Sequence, residues 1–224
     1  KSFPKALRQA LRQDPDVIVV SEMRDLDTIR IALTAAETGH LVLATLHTPD
    51  APQTIDRLVD VFPAEQQPQI VAQLAAALEG IVCQRLMTRA DGGGRVLATE
   101  VLVPGHGIRN CIRERKLEQI VGLMEIGHRE GNRTIDHSIA GLLEAGYITR
   151  DEALFHCRER KTFDAPPKEA KTHITAKNPA STMPMGFSPR SAKNARTAST
   201  WSGAMLMTNR LGAQIGRASC RERV

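Results

Sequence analysis

One acid and two histidines hold the clearest chemical potential in this sequence. Glu22 lies in DPDVIVVSEMRD, residues 14–25, just after the β-branched run VIVV at 17–20. His40 and His47 bracket a second apolar run in TGHLVLATLHT, residues 38–48. An acid at the C-terminal end of a buried strand can hold Mg²⁺, directly or through water, or orient an attacking water. A neutral imidazole beside a nucleotide can donate a hydrogen bond to a phosphate or orient a neighbouring acid. A metal pair on a helix needs i, i+4 spacing, whereas these histidines flank a strand, which argues against a shared metal. The cysteines, Cys83, Cys111, Cys157 and Cys220, form no CxxC pair and no cluster of zinc spacing, so buried reduced thiols are expected. Taken singly, each of these acids and histidines also fits an ordinary strand-end residue.

The elements that must position them follow from periodicity. VIVV has the pattern of a buried parallel strand. RDLDTIRIALTAAETG places Leu26, Ile29, Leu33 and Ala36 at helical spacing and stops at Gly39. LVLATL, residues 41–46, predicts a second buried strand. PQTIDRLVDVF and EQQPQIVAQLAAALEGIVCQRLM predict two helices, the latter running into a strand near Leu86. GGGR at 92–95 predicts a turn into VLATEVLV and hence a hairpin. Strand, helix and strand in succession imply an α/β core with parallel strands. From Gly107 to about Glu159 the pattern is wholly helical, with Thr134 and Thr149 as N-caps and Thr149 with Glu152 as a capping box.

Charge excludes less than it suggests. The whole chain of 224 residues carries +5, but ten basic residues against two acidic lie from Ala165 onward, leaving −3 for the first 164. The high isoelectric point is therefore no sign of a nucleic-acid partner. No apolar run approaches the ~20 residues that span a bilayer. Residues 164–214 are rich in Ala, Ser, Thr, Pro and Lys without periodicity, the composition of a disordered or frameshifted tail. IGRASCRERV, residues 215–224, matches a translated frame of a common sequencing-library adapter and is set aside as an artefact.

In order and spacing, DPDVIVVSEMRD, TGHLVLATLHT, TIDRLVDVFP and GIRNCIRER resemble the secretion ATPases of type IV pili and type II secretion, over about residues 3–160. The resemblance implies that Glu22 is the catalytic acid of a Walker B segment and a Mg²⁺ holder, with Ser21 in place of the usual glycine. It implies that His40 and His47 form a histidine box near the nucleotide and that Arg57, in TIDR, serves a subunit interface. Arg109, Asn110, Arg113 and Glu114 match the AIRNLIRE motif of the retraction branch, with Gly107 and Cys111 departing from it. The four-cysteine module typical of the assembly and secretion branch is absent between QRL and the hairpin.

The implied fold is the C-terminal part of a RecA-like P-loop NTPase core over residues 1–104, followed by a small helical bundle over 105–163. The implied function is ATP hydrolysis with Mg²⁺ by a homo-hexameric motor that retracts pili. Its setting would be cytoplasmic, peripheral at the inner membrane, against a pilus platform protein, with no nucleic acid and no transmembrane segment. The alternatives are a pilus-assembly or type II secretion ATPase and a non-hydrolysing structural paralogue in the ring. G-x-x-x-x-G-K-[ST] occurs nowhere in the chain. The resemblance places that phosphate loop before Lys1, so this chain by itself is expected to bind ATP poorly and turn over little or none.

Overall fold

A computed structural model describes residues 3–13, 15–163 and 203–207. Eight α-helices and five strands are described: α1 Phe3–Leu11, β1 Val17–Val20, α2 Leu26–Glu37, β2 Leu41–Thr45, α3 Ala51–Asp60, α4 Gln67–Ala77, β3 Leu78–Thr88, β4 Arg95–Leu102, α5 His106–Arg113, α6 Ile120–Ile126, α7 Ile135–Glu144, α8 Arg150–His156 and β5 Gly203–Met207. The sheet order is β1-β2-β5-β3-β4. β1 and β2 are parallel, with Val17 opposite Leu41 and Val20 opposite Ala44. Their connection is α2, whose stripe of Ile29, Ile31, Ala32, Leu33, Ala35 and Ala36 is buried. A helix that turns this stripe inward gains roughly 1.5–3 kcal/mol for each large side chain taken out of water.

Two expectations change in the structure. The run VIVV is buried only at Ile18 and Val20; Val17 and Val19 are exposed, so β1 alternates. The helix predicted to run towards Leu86 ends at Ala77, and the strand begins at Leu78. Local propensity yields there because Ile81 and Cys83 pack in the sheet at 1 % exposure each. Of the tail over 164–214, the structure describes Gly203–Met207, which form a strand. Residues 164–202 and 208–224, including the adapter-like end, lie outside the described residues. Among the described residues, 3–84, 99–135 and 203–207 form one compact unit, and 85–98 with 136–163 form another.

In the second unit, the outer part of the β3–β4 hairpin is held by the helices that follow. The Ala90 N–H donates to Tyr147 O at 2.8 Å, and the Arg89 guanidinium lies 5.6 Å from the Tyr147 ring centroid. Thr149 caps α8 by accepting from the Glu152 N–H at 3.2 Å. Only that half of the expected capping box forms, because the Glu152 carboxylate accepts from the Thr88 N–H instead. Asp136 accepts from the N–H groups of Arg158 and Glu159 at 2.7 and 2.9 Å.

Candidate nucleotide-facing site

Parallel pairing decides where the chemistry gathers. β1 and β2 end at the same sheet edge, so the residues just beyond them, Glu22 and His47, become neighbours despite 25 positions of sequence between them. The ladder continues past the strands, with the Met23 N–H donating to Thr45 O at 3.2 Å and the Thr45 hydroxyl donating to Ser21 O. Glu22 Oε1 then lies 3.2 Å from His47 Nε2 and 2.6 Å from Arg24 Nε. Arg57, one turn and a half into α3, donates from its guanidinium to His47 O at 3.0 Å. The Arg24 hydrogen bond, with the charges of Arg24, His47 and Arg57, holds the Glu22 carboxyl below its ordinary value against a smaller opposing effect of desolvation. The group is thus a carboxylate at neutral pH, with the guanidinium of Arg24 and the imidazole of His47 on one of its oxygens.

The loop between β2 and α3 is built to be stiff. Asp50 caps α3 by accepting from the Gln53 N–H at 2.9 Å, and the buried hydroxyls of Thr48 and Thr54 share a 2.6 Å hydrogen bond. A cleft of about 430 Å³ opens beside it, lined by His47, Pro49, Gln53, Arg57 and Asp60 among others. On the other strand, Asp25 caps α2 by accepting from the Thr28 hydroxyl at 2.7 Å and the Thr28 N–H at 2.8 Å. Those bonds, the hydroxyl first, hold the Asp25 carboxyl below its ordinary value.

A depressed carboxylate contributes stability that is fully present above its unfolded value, about 4, and is lost as pH falls through the folded value. Asp25→Ala is therefore expected to cost about 1 kcal/mol at pH 7. Urea denaturation of both chains at pH 7 and pH 3 should show that difference shrinking in acid, and an unchanged difference would deny the cap its charge.

The structure does not bring His40 to this edge. It precedes β2 where His47 follows it, and a separation of seven residues along extended chain is roughly 20 Å. His40 Nδ1 lies 3.0 Å from Ala35 O and 3.1 Å from the Thr38 hydroxyl, which ties it to the end of α2.

Arg109, Asn110, Arg113 and Glu114 form a third group. Ile108 and Ile112 are buried, and Arg109 donates to Ala75 O and Ala76 O at 2.8 and 2.9 Å, with Glu79 at 3.3 Å. A guanidinium on the last carbonyls of α4 satisfies acceptors that a helix end leaves open. Asn110 donates to Glu114 at 3.0 Å, and Lys116 pairs with Glu114 at 2.7 Å; these partners, Lys116 first, lower the Glu114 carboxyl. Arg113 is exposed. A Cβ at Gly107 would meet Leu123 at an ordinary 3.6 Å, so the motif's alanine would fit there without rearrangement.

Three residues escaped the sequence reading. Arg24 was visible beside Glu22, but only the fold shows it on the same carboxylate oxygen as His47. Arg115 sits at positive φ (58°) after α5 and reaches Asp56 and Asp60 at 3.1 and 3.3 Å. Glu100 is 1 % exposed and accepts from the Ala51 N–H at 2.8 Å and the Ile135 N–H at 3.4 Å. Its signal was an acid on the inward face of an alternating strand, between Ala98 and Leu102.

The residues fit a bound nucleotide with Mg²⁺ in a limited sense. Groups of three or more metal-ligating side chains are absent among the described residues. One carboxylate suits Mg²⁺ held mainly by phosphate and water, and the cationic surround suits a polyphosphate.

Comparison with known proteins shows what the chain is similar to. Over 151 residues the chain is 50% identical to the type IV pilus retraction ATPase PilT of Pseudomonas aeruginosa, covering 67% of this chain and 44% of that protein. A twitching motility protein of Neisseria gonorrhoeae is 47% identical over 152 residues, 68% of this chain and 41% of that one. The chain thus spans less than half the length of these relatives. A crystal structure of the pilus retraction motor PilT with bound ADP superposes with a TM-score of 0.66 at 50% identity, covering 72% of this chain and 45% of that one. The family model described as type II/IV secretion system protein matches residues 1–138. With its acid and one histidine joined at the sheet edge, and that match across more than half its length, the chain belongs to the type II/IV secretion system protein family.

Proposed function

We propose that the polypeptide carrying this chain is an ATP-hydrolysing motor that drives retraction of type IV pili, working with Mg²⁺ as a homo-hexamer. The observation that carries the reading is the Glu22–His47 pair at 3.2 Å, on one edge of two parallel strands, within residues 1–138 that match the family model, in a chain 50% identical over 151 residues to a retraction ATPase. Glu22, kept ionised by Arg24, orients a water and accepts its proton; His47 positions Glu22 and faces the phosphate side of the cleft. Mg·ATP, when bound, supplies the phosphoryl group and the leaving diphosphate. Arg57 holds the His47 backbone, and it is the residue of α3 we assign to the subunit boundary. His40, at the other end of β2, serves the histidine box from the α2 side rather than from the Glu22 edge. The Arg109–Glu114 helix, anchored on α4, passes movement towards a platform protein at the inner membrane, which places the motor on the cytoplasmic side. Among the described residues no helix is long and apolar enough to cross a membrane.

The test is complementation of a piliated cell that lacks its retraction ATPase, using the polypeptide of the relatives' full length. Restored twitching with ATP hydrolysis by the purified protein supports the reading. Hydrolysis with restored pilus assembly in an assembly-deficient cell, and none of retraction, would move the protein to the assembly branch.

A further inference from the structure

Helix α5 closes on a residue that is unusual for its position. The Arg115 N–H donates to Ile112 O at 3.1 Å and the Lys116 N–H to Cys111 O at 2.9 Å, the pair of bonds that ends a helix on a left-handed residue. Glycine is usual there because a Cβ is strained in that conformation. Among the described residues, glycine fills the other left-handed positions, Gly39, Gly92, Gly94, Gly131 and Gly146, and Arg115 at φ 58° is the exception. The backbone gains nothing from arginine at this turn; what arginine adds is its reach. Its guanidinium donates to Asp56 at 3.1 Å, to Asp60 at 3.3 Å and to the side-chain oxygen of Gln67 at 3.2 Å.

That reach joins three helices of one compact unit. α5 runs antiparallel along α4 and is pinned to it at both ends, by Arg109 on Ala75 O and Ala76 O and by Arg115 on Gln67, the first residue of α4. Asp56 and Asp60 lie i, i+4 on one face of α3. Next to Asp56, Arg57 donates to His47 O, and both acids line the same cleft as His47. Asp50 and Glu100 fix the start of α3, whereas the contacts of Arg115 fall on its second half. We propose that Arg115 is a positioning residue that clamps α3 to the α4–α5 pair and so fixes where Arg57 holds the His47 carbonyl. The inference rests on the nucleotide reading above for its effect on turnover. A single exposed ion pair contributes little to stability. Here one guanidinium meets two carboxylates a turn apart and an amide, which fixes direction as well as distance. Without it the start of α3 stays in place while its second half loses its hold on α5. The strained backbone at 115 is thus the cost of a side chain placed for position.

Arg115→Gly separates the two roles, because it relieves the left-handed backbone and deletes the clamp at once. In the 224-residue chain the urea midpoint is expected to hold or rise. Amide hydrogen exchange over residues 55–60 should quicken roughly threefold or more, with exchange in α2 as in the parent. Asp56→Asn with Asp60→Asn should give the same local rise, and adding Arg115→Gly to that pair no further rise. Unchanged exchange in α3 overturns the clamp. So does a rise of equal size throughout the unit with a fallen midpoint, which marks an ordinary stabilising contact. In a polypeptide of the relatives' full length, Arg115→Gly should lower kcat for ATP hydrolysis roughly three- to tenfold with KM nearly unchanged, and Arg115→Lys should recover part of the loss. A kcat equal to the parent's overturns the link from Arg115 to His47. A full-length parent that binds no ATP overturns the nucleotide reading, and the exchange result then decides the clamp by itself.

Discussion

On the proposed function, Glu22→Gln in a polypeptide of the relatives' full length is expected to lower kcat for ATP hydrolysis by roughly 10²–10⁴-fold, the range that positioned general-base groups contribute. The amide keeps the size and one oxygen for Arg24 and His47, but it cannot take a proton from water. ATP binding should be retained, because the phosphate-side cations are untouched, so the loss should appear in kcat and little in KM. Steady-state hydrolysis together with equilibrium binding of ATP separates the two. A variant that turns over at the parent rate would take the catalytic role from Glu22 and favour a water-orienting group elsewhere. Arg24 adds a constraint to the mechanism. While it holds the same oxygen as His47, it keeps the carboxyl ionised but also lowers its basicity. A productive arrangement must balance these two effects.

Glu100→Ala should be the most damaging single change to stability outside the apolar core, at about 2–4 kcal/mol. The carboxylate is buried and receives the backbone N–H of Ala51, the first residue of α3, as well as that of Ile135. Helix starts leave such N–H groups without internal acceptors, and alanine would strand both in a dry environment. Asp50 covers Gln53 but not Ala51, so the two acids are not redundant. Since α3 follows directly on the His47 loop, hydrogen exchange at Ala51 should rise along with the fall in urea midpoint. An unchanged midpoint would mean that water replaces the carboxylate at no cost. Glu100→Gln, which retains one acceptor oxygen, should lie between the two.

How much of this was legible beforehand depended on the range of the interaction. The stop at Gly39 and the cap of α8 at Thr149 are local, and the residues around them carry them completely. The strand and helix order up to α3 is likewise written in hydrophobic spacing. Family order, read from four short segments, pointed to the acid and to the histidines. It could not separate the histidines, because both are adjacent to one strand in sequence. Only the parallel pairing of β1 with β2 shows that His47 meets Glu22 while His40 is tied back to Ala35 and Thr38. The start of β3 was misplaced for a related reason. An alanine-rich stretch favours helix until the sheet offers it partners, and those partners are distant in the chain.

By itself, then, the sequence determined most of the local elements and the cap of α8 at Thr149, and it singled out Glu22 as a candidate, because those readings depend on residue type and on neighbours within a turn or two. Tertiary structure alone decided that Arg24, His47 and Arg57 converge around Glu22, that Glu100 supports the start of α3, and that the sheet centre is filled by residues 203–207. Each of these joins segments far apart in the chain. Their cost is the entropy of closing long loops, and their return is burial and pairing that no local pattern records.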